Sequence, residues 1–240
     1  GWRSIRLSFE HPNFFLTQIR AILRAAAPEQ RTGKAMNAGG VATSVQIMFP
    51  MVTNIEELRR LRAFVRRAEQ QLRKDNKCYG KVAFGMMLEV PAAAVMIDHL
   101  LGSVDFVSIG SNDLVQYLMA ADRDNPKVSH LCQPLSPAVI RVLTQVVAAC
   151  NAANTPVTLC GEMAGQPQAF VLLLGMGLRR FSMSSAFVPT IKELAAHVTI
   201  PLAEKLLEQA LQHKTMRKIH KMLTAELLRI APNLEPVLIQ

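Results

Sequence analysis

Two acidic residues stand at the ends of short apolar runs in this 240-residue sequence. Glu89 directly follows the run that ends at Leu88, and Asp113 lies shortly after the run that ends at Ile109. Two carboxylates that converge on one place suit a hard cation such as Mg²⁺ if a phosphorylated substrate completes the coordination shell. A carboxylate at the end of a strand is more often a helix cap or a salt-bridge partner. The pair by itself is therefore compatible with either role.

Two further residues near this pair suit a phosphate group. Asn112 adjoins Asp113, and Arg123 stands at the start of the following loop. An amide supplies a neutral donor, and a guanidinium supplies a fork of donors that matches phosphate oxygens. Together with the two carboxylates, they indicate a site for a metal ion and a phosphorylated ligand.

Cys160 is the candidate acid. It follows an apolar run and precedes Gly161, which permits close approach of the backbone. A buried, inert thiol is a common fate for cysteine, whereas a thiol beside cations can transfer protons because positive charge favours the thiolate. The residues alone leave both interpretations open. The four cysteines have no C-x-x-C spacing, so they match neither a zinc site nor a disulfide scaffold and favour a reducing cytoplasm.

The elements that must position these residues are short apolar runs separated by helical patterns. Near-continuous apolarity predicts strands buried on both faces of a parallel sheet covered by helices, which is an α/β fold. Polarity switches at the carboxyl end of each run, where α/β barrels carry their active sites. The predicted strands span residues 45–49, 82–88, 106–109, 157–159 and 181–183.

Helix signals fill the intervals between the runs. The pattern Thr53-x-x-Glu56 predicts a capping box at the start of one amphipathic helix. Ser136 followed by Pro137 predicts the start of another, which we expect to end near Asn154. Further helices are predicted over 14–26, 92–101, 202–212 and 216–230, and after Pro167 and Pro189.

Composition limits the classes of function. Half of the residues are hydrophobic, yet the longest apolar stretch falls well short of the ~20 residues that a membrane helix needs. The net charge of +9 admits a polyanionic partner, although the arginines concentrate on the helix that begins near residue 53, where a solvated face also explains them. Residues 27–43 carry turn formers without an apolar period and predict a mobile loop. The first residues suggest the middle of a longer protein rather than a targeting signal.

Four ordered motifs resemble the phosphoenolpyruvate-binding barrel of the enzyme I family, the phosphoenolpyruvate-protein phosphotransferases of bacterial phosphotransferase systems. They read MLEVPAA, SIGSNDL, ADRDN and LCGEMAG and occupy residues 87–93, 108–114, 121–125 and 159–165. The resemblance covers residues 1–198, and the opening residues are closer to the nitrogen-related paralogue than to the sugar-transport enzyme.

The resemblance implies a fold and a set of roles. The fold would be a (β/α)₈ TIM barrel truncated at its amino-terminal side, with about five of eight strands in residues 1–198 and a helical tail in 199–240. Mg²⁺ would be the cofactor. The implied site residues are Glu89 and Asp113 for the metal, Asn112 and Arg123 for the phosphoryl group, Arg6 (with Arg3 as second choice) for an anionic group of the substrate, and Cys160 as the acid that protonates enolpyruvate.

The resemblance also implies partners and departures. The family's remaining strands, its phosphohistidine and the surface that docks the HPr-like phosphocarrier protein would lie upstream of residue 1. Gln46 stands where the family usually places a substrate-binding arginine, and the 27–43 loop is longer than usual. We expect phosphoenolpyruvate and pyruvate as ligands, a homodimer formed through the carboxy-terminal domain, a cytoplasmic location without membrane contact, and no nucleic acid. We also expect the 240 residues alone to self-associate.

Two alternatives remain. Pyruvate phosphate dikinase and phosphoenolpyruvate synthase share the Cys-Gly-Glu and Asn-Asp motifs, although the run at 122–125 and its spacing to Cys160 favour enzyme I. A non-catalytic interaction or nucleic-acid-binding module would use the basic helix and the helical tail instead.

Overall fold

A parallel β-sheet forms the centre of the chain. A computed structural model describes residues 1–27 and 45–238, and the strands follow chain order across one five-stranded sheet. Every neighbouring pair is parallel. The predicted α/β fold class, with five successive strands of a barrel-type sheet and a helical tail, is confirmed. The strands are β1 (Gln46–Phe49), β2 (Ala83–Leu88), β3 (Phe106–Gly110), β4 (Val157–Cys160) and β5 (Phe181–Ser182).

Helices connect the strands and extend beyond the last one. Short 3₁₀ turns at Ser129–Leu131, Glu162–Gly165, Ser185–Phe187 and Pro232–Leu234 complete the described connections. The helices are α1 (Ile5–Glu10), α2 (Pro12–Ala25), α3 (Ile55–Lys74), α4 (Pro91–Val95), α5 (Ile97–Leu101), α6 (Ser111–Met119), α7 (Pro137–Ala152), α8 (Pro167–Gly175), α9 (Val188–His197), α10 (Ile200–Gln212), α11 (Met216–Ile230) and α12 (Glu235–Leu238).

The two faces of the sheet differ in burial. Alternate residues such as Phe84, Val107 and Leu159 belong to the hydrophobic core that the helices cover. The opposite face is more open, because Gln46 is exposed and Met48 is 37% exposed. This open face corresponds to the interior of a barrel, and the carboxyl ends of its strands form the rim that carries the predicted site.

Two local predictions need correction. Asn54, and not Thr53, caps α3: its side chain accepts a hydrogen bond from the Glu57 backbone N–H at 2.9 Å. The Glu57 carboxylate accepts from the Thr53 N–H at 2.6 Å and from the Thr53 hydroxyl at 2.8 Å, so Thr53 is bonded to the first turn without being its cap. The helix predicted over 92–101 is broken at Met96 into α4 and α5.

Helix α6 is one that the sequence signals do not predict. Asn112 and Asp113 lie in its first turn, so a helix fixes the direction of both side chains. The predicted loop at 27–43 lies outside the described residues, apart from Ala27.

The helical tail packs on the barrel part of the chain. Gly175 of α8 lets the backbone of α10 approach at Ala203, because a side chain at 175 would collide with that carbonyl. The buried Gln168 of α8 donates to the Thr224 hydroxyl at 3.3 Å and to the Leu238 carbonyl at 3.1 Å. The tail and the sheet therefore share one hydrophobic core. The division at residue 198 stays a prediction.

The arginines of α3 are partly engaged with the chain itself. The Arg60 guanidinium lies 4.0 Å from the centroid of the Phe9 ring. Arg62 lies over the Phe84 ring at 4.3 Å and donates to the Ser103 carbonyl at 2.8 Å. Two of the α3 arginines therefore contact the chain itself and are not simply part of a solvated face. Among the described residues, no helix is both long and apolar enough to cross a membrane.

Candidate active site

Glu89 is a buried carboxylate at the carboxyl end of β2. It is 4% exposed, and its Oε1 accepts a hydrogen bond of 2.7 Å from the backbone N–H of Met51. Burial raises the pKa of Glu89 above its ordinary value; the bond from Met51 opposes this shift, and the neighbouring carboxylate of Asp113 adds to it. Met51 adopts a positive φ of 59°, a conformation that non-glycine residues rarely use. The residue that donates to the Glu89 carboxylate therefore has an unusual backbone conformation.

Asp113 faces the same place from the first turn of α6. Its Oδ1 is buried and has no hydrogen-bond partner in the described part of the chain. Its Oδ2 lies 3.7 Å from Nη2 of Arg3. A buried carboxylate oxygen without a partner carries a desolvation cost that a cation between the two acids would offset. The arrangement therefore fits a hard metal ion with two carboxylate ligands and an open remainder of its shell.

The described residues contain no group of three or more acidic, histidine or cysteine side chains arranged to hold an ion. A metal ion at Glu89 and Asp113 would thus need oxygen atoms from water or substrate to complete its coordination. This is the usual situation for Mg²⁺ at phosphate-binding sites.

Asn112 and Arg123 line one cavity of about 270 Å³, whose lining does not include Glu89 or Asp113. The Asn112 Oδ1 accepts a hydrogen bond of 3.1 Å from the Glu162 backbone N–H. Because its oxygen is thus engaged, the amide NH₂ is the group that Asn112 can offer to an anion. The Arg123 side chain is exposed, and its backbone N–H donates to Gln116 Oε1 at 3.2 Å. The cavity combines an amide and a guanidinium in the way predicted for phosphate oxygens.

Cys160 ends β4 on the open face of the sheet and is half-buried. Its Sγ lies 3.4 Å from the Ile109 carbonyl oxygen, to which the thiol can donate. The Ser111 hydroxyl donates to the Cys160 carbonyl at 2.8 Å and so ties the start of α6 to the end of β4. Cys150 shows the other fate of a thiol, because burial raises its pKa to about 12 and makes it inert.

The structure brings the predicted residues together in unequal ways. Glu89 and Asp113 form one pair, and Asn112 and Arg123 line a common cavity. Arg6 donates to the Gly1 carbonyl at 3.0 Å, whereas Arg3, the second choice in the sequence, is the guanidinium beside Asp113.

Sequence reasoning missed three contributors to the site. They are the backbone N–H of Met51, the hydroxyl of Ser111 and the backbone N–H of Glu162. A backbone N–H donor cannot be recognised from the residue types in a sequence. Ser111 did carry a signal, because it directly precedes Asn112 at the predicted end of a strand.

The fold and the site together define a class: an α/β protein with a pair of carboxylates, Glu89 and Asp113, near the carboxyl ends of its parallel strands. Residues 1–200 match the model of the PEP-utilising enzyme, PEP-binding domain family, where PEP is phosphoenolpyruvate. The chain belongs to this family.

Individual relatives carry related names. The chain is 41% identical over 220 residues to a phosphoenolpyruvate-protein phosphotransferase of Buchnera aphidicola. The matched region covers 91% of this chain and 36% of that protein. It is 39% identical over 234 residues to the Haemophilus influenzae protein of the same name, covering 97% of this chain and 38% of that protein. This chain thus spans little more than a third of these relatives. A Burkholderia xenovorans citrate lyase structure gives a TM-score of 0.48 at 16% identity, covering 91% of this chain and 68% of that one, too distant for any argument.

Proposed function

We propose that the chain is the phosphoenolpyruvate-binding part of a phosphoenolpyruvate-protein phosphotransferase. The observation that carries the proposal is the buried carboxylate pair, in which Asp113 Oδ1 has no partner among the described residues and Glu89 has a raised pKa. Such a pair is costly without a cation and useful with one. The cavity that Asn112 and Arg123 share supports a role for these two residues as donors to a phosphate group.

Each residue has a proposed role. Glu89 and Asp113 hold Mg²⁺, which when bound neutralises negative charge on the phosphoryl oxygens. Asn112 donates its amide N–H, and Arg123 its guanidinium, to the phosphoryl group. Arg3 or Arg6 binds the substrate carboxylate. Cys160 gives its proton to the methylene carbon of enolpyruvate, so that pyruvate is released.

The whole reaction needs more than this chain. We propose that the phosphoryl group passes to a histidine in another part of a longer protein and from there to an HPr-like phosphocarrier. The names of the relatives and the fraction of their length that this chain spans support this view. A homodimer and a cytoplasmic location belong to the same proposal. They are tested by sedimentation and by fractionation of cells.

Calorimetric titration of phosphoenolpyruvate into the longer protein, with and without Mg²⁺, tests the metal assignment. Glu89→Gln and Asp113→Asn should each weaken Mg²⁺-dependent binding at least tenfold, because each removes a charged ligand. The control is Glu204→Gln on the exposed surface of α10, which should bind as the wild type does. Wild-type affinity in both site variants would refute the assignment.

A further inference from the structure

The hydroxyl of Ser108 lies against the thiol of Cys160. The Oγ of Ser108 is 3.5 Å from Sγ of Cys160 and donates toward it. Ser108 is 7% exposed, so its hydroxyl is largely shielded from water. On its other side, the thiol lies 3.4 Å from the Ile109 carbonyl oxygen. The sulfur therefore has one donor and one acceptor from β3, and both come from consecutive residues.

Strand register explains why this contact forms. Gly110 of β3 is the direct partner of Cys160, and Ser108 is the partner of Thr158 two residues earlier. Ser108, Gly110 and Cys160 therefore lie on the same face of the sheet. A side chain at 110 would meet the Cβ and carboxylate of Glu89 at a tight 3.0 Å. Glycine at this position thus leaves room for the carboxylate.

The two contacts of the sulfur respond differently when its proton leaves. In the thiol form, S–H donates to the Ile109 carbonyl, and the sulfur accepts from Ser108. A thiolate can no longer donate, but it accepts more strongly, because hydrogen bonds to charged acceptors are about twice as strong as neutral ones. The Ser108 hydroxyl is thus already placed to stabilise the form of Cys160 that remains after proton transfer.

We propose that Ser108 is a positioning residue that orients the Cys160 thiol and stabilises the thiolate left after it protonates the substrate. This inference rests on the proposed role of Cys160. In that step the S–H bond breaks, and its electron pair stays on sulfur. A C–H bond forms at the methylene carbon of enolpyruvate from the carbon–carbon π pair, and the enolate oxygen becomes the ketone of pyruvate. Water later returns a proton to the sulfur, and no group is oxidised or reduced.

A purely structural role of Ser108 predicts a different experimental result from the proposed positioning role. Ser108→Ala changes no charge, and the acids around the rim, Glu89, Asp113 and Glu162, are the same in every variant. If Ser108 only filled space, its loss would lower the thermal midpoint and leave the reactivity of the folded thiol unchanged. Ser108→Thr keeps the hydroxyl on a strand that tolerates β-branched residues. It should therefore restore the reactivity.

The first test measures the alkylation rate of Cys160 by iodoacetamide at pH 7.5 in the longer protein, followed for each cysteine by peptide mass spectrometry. Ser108→Ala removes the hydroxyl that donates to the sulfur, so the reacting sulfur anion loses one hydrogen bond and the alkylation rate should fall about threefold. Ser182→Ala is the matched control, because Ser182 is the partner of Cys160 on the opposite neighbouring strand and is exposed. It should react at the wild-type rate.

The second test measures exchange of the pyruvate methyl hydrogens with D₂O in the longer protein. Slower exchange in Ser108→Ala at unchanged KM, with recovery in Ser108→Thr, supports the inference. An unchanged alkylation rate in Ser108→Ala overturns it, whatever the protein's function. Wild-type exchange in Cys160→Ser overturns the role of Cys160 itself, and with it the proton-transfer part of the inference. The two assays therefore separate failure of this contact from failure of the proposed function.

Discussion

Gly161→Ala should damage both the stability of the fold and the phosphate side of the site. Gly161 has φ +114° and ψ −175°, a region that residues with a side chain almost never occupy. A Cβ at this position would collide with the Ser111 hydroxyl and would lie 2.7 Å from Asn112 Oδ1. The substitution must therefore either change the backbone after β4 or displace Asn112 from its bond with the Glu162 N–H.

The magnitude follows from two contributions. The backbone conformation costs about 1–3 kcal/mol for a residue with a Cβ. Loss of the Asn112 hydrogen bond adds about 1 kcal/mol. A total of about 2–4 kcal/mol corresponds to a fall of about 4–16 °C in the thermal midpoint for a domain of 150–250 residues. Affinity for phosphoenolpyruvate should fall as well, because the amide that faces the cavity is misplaced.

Thermal unfolding at one fixed protein concentration measures this effect. Gly102→Ala is the matched control, because Gly102 has ordinary helical dihedral angles of −65° and −6° and an added Cβ would meet nothing within 4 Å. It should be neutral or stabilising by up to about 1 kcal/mol. If Gly161→Ala unfolds within 2 °C of the wild type, the strain and the collision inferred at this position are wrong.

The remaining predictions concern the carboxylate pair, the tail and the sheet edges. Burial raises the pKa of Glu89 in the folded chain. The protonated side chain therefore stabilises the metal-free fold most below its unfolded pKa of about 4.3, and this stabilisation is lost as the pH rises through the folded pKa. Glu89→Gln should remove that component from urea unfolding curves measured across this window; an unchanged pH dependence would contradict it. Gln168→Leu should cost about 1–3 kcal/mol in the same assay, because it leaves the Leu238 carbonyl without its donor, whereas Gln212→Leu on the surface should stay within about 0.5 kcal/mol. The 240 residues alone should self-associate through the edges of β1 and β5, so a monomer in sedimentation velocity would refute this expectation.

The sheet could be predicted from the sequence because burial on both faces leaves a pattern. All five apolar runs became strands within about one residue of their predicted bounds, and Met216–Ile230 forms the helix that its periodicity indicated. Proline also marked helix starts correctly at Pro137 and Pro167. These signals are local, so they survive without knowledge of the tertiary contacts.

The start of α6 could not be predicted in the same way. Gly110 occupies its N-cap position and offers no capping side chain, so the usual signal for a helix start is absent. The helix begins there because Ser111 bonds the Cys160 carbonyl on the neighbouring strand, a contact that depends on the sheet register. For the same reason, the ion pair between Arg3 and Asp113 leaves no signal in the sequence.

The position of Gln46 bears on how the site binds anions. Gln46 opens β1 and Phe49 closes it, so at about 3.3 Å per residue Gln46 lies about 10 Å from the rim. It faces the open side of the sheet but carries no charge, so it cannot offer a substrate the ion pair that an arginine would provide. Arg123 stands at the rim, and Arg3 is held at 3.7 Å from Asp113. A cation bound by Asp113 would take over the neutralisation that Arg3 now provides and free its guanidinium for the substrate. Metal binding and anion binding would then be coupled through Arg3. The guanidinium of Arg3 would supply the substrate with a positive charge that Gln46 lacks.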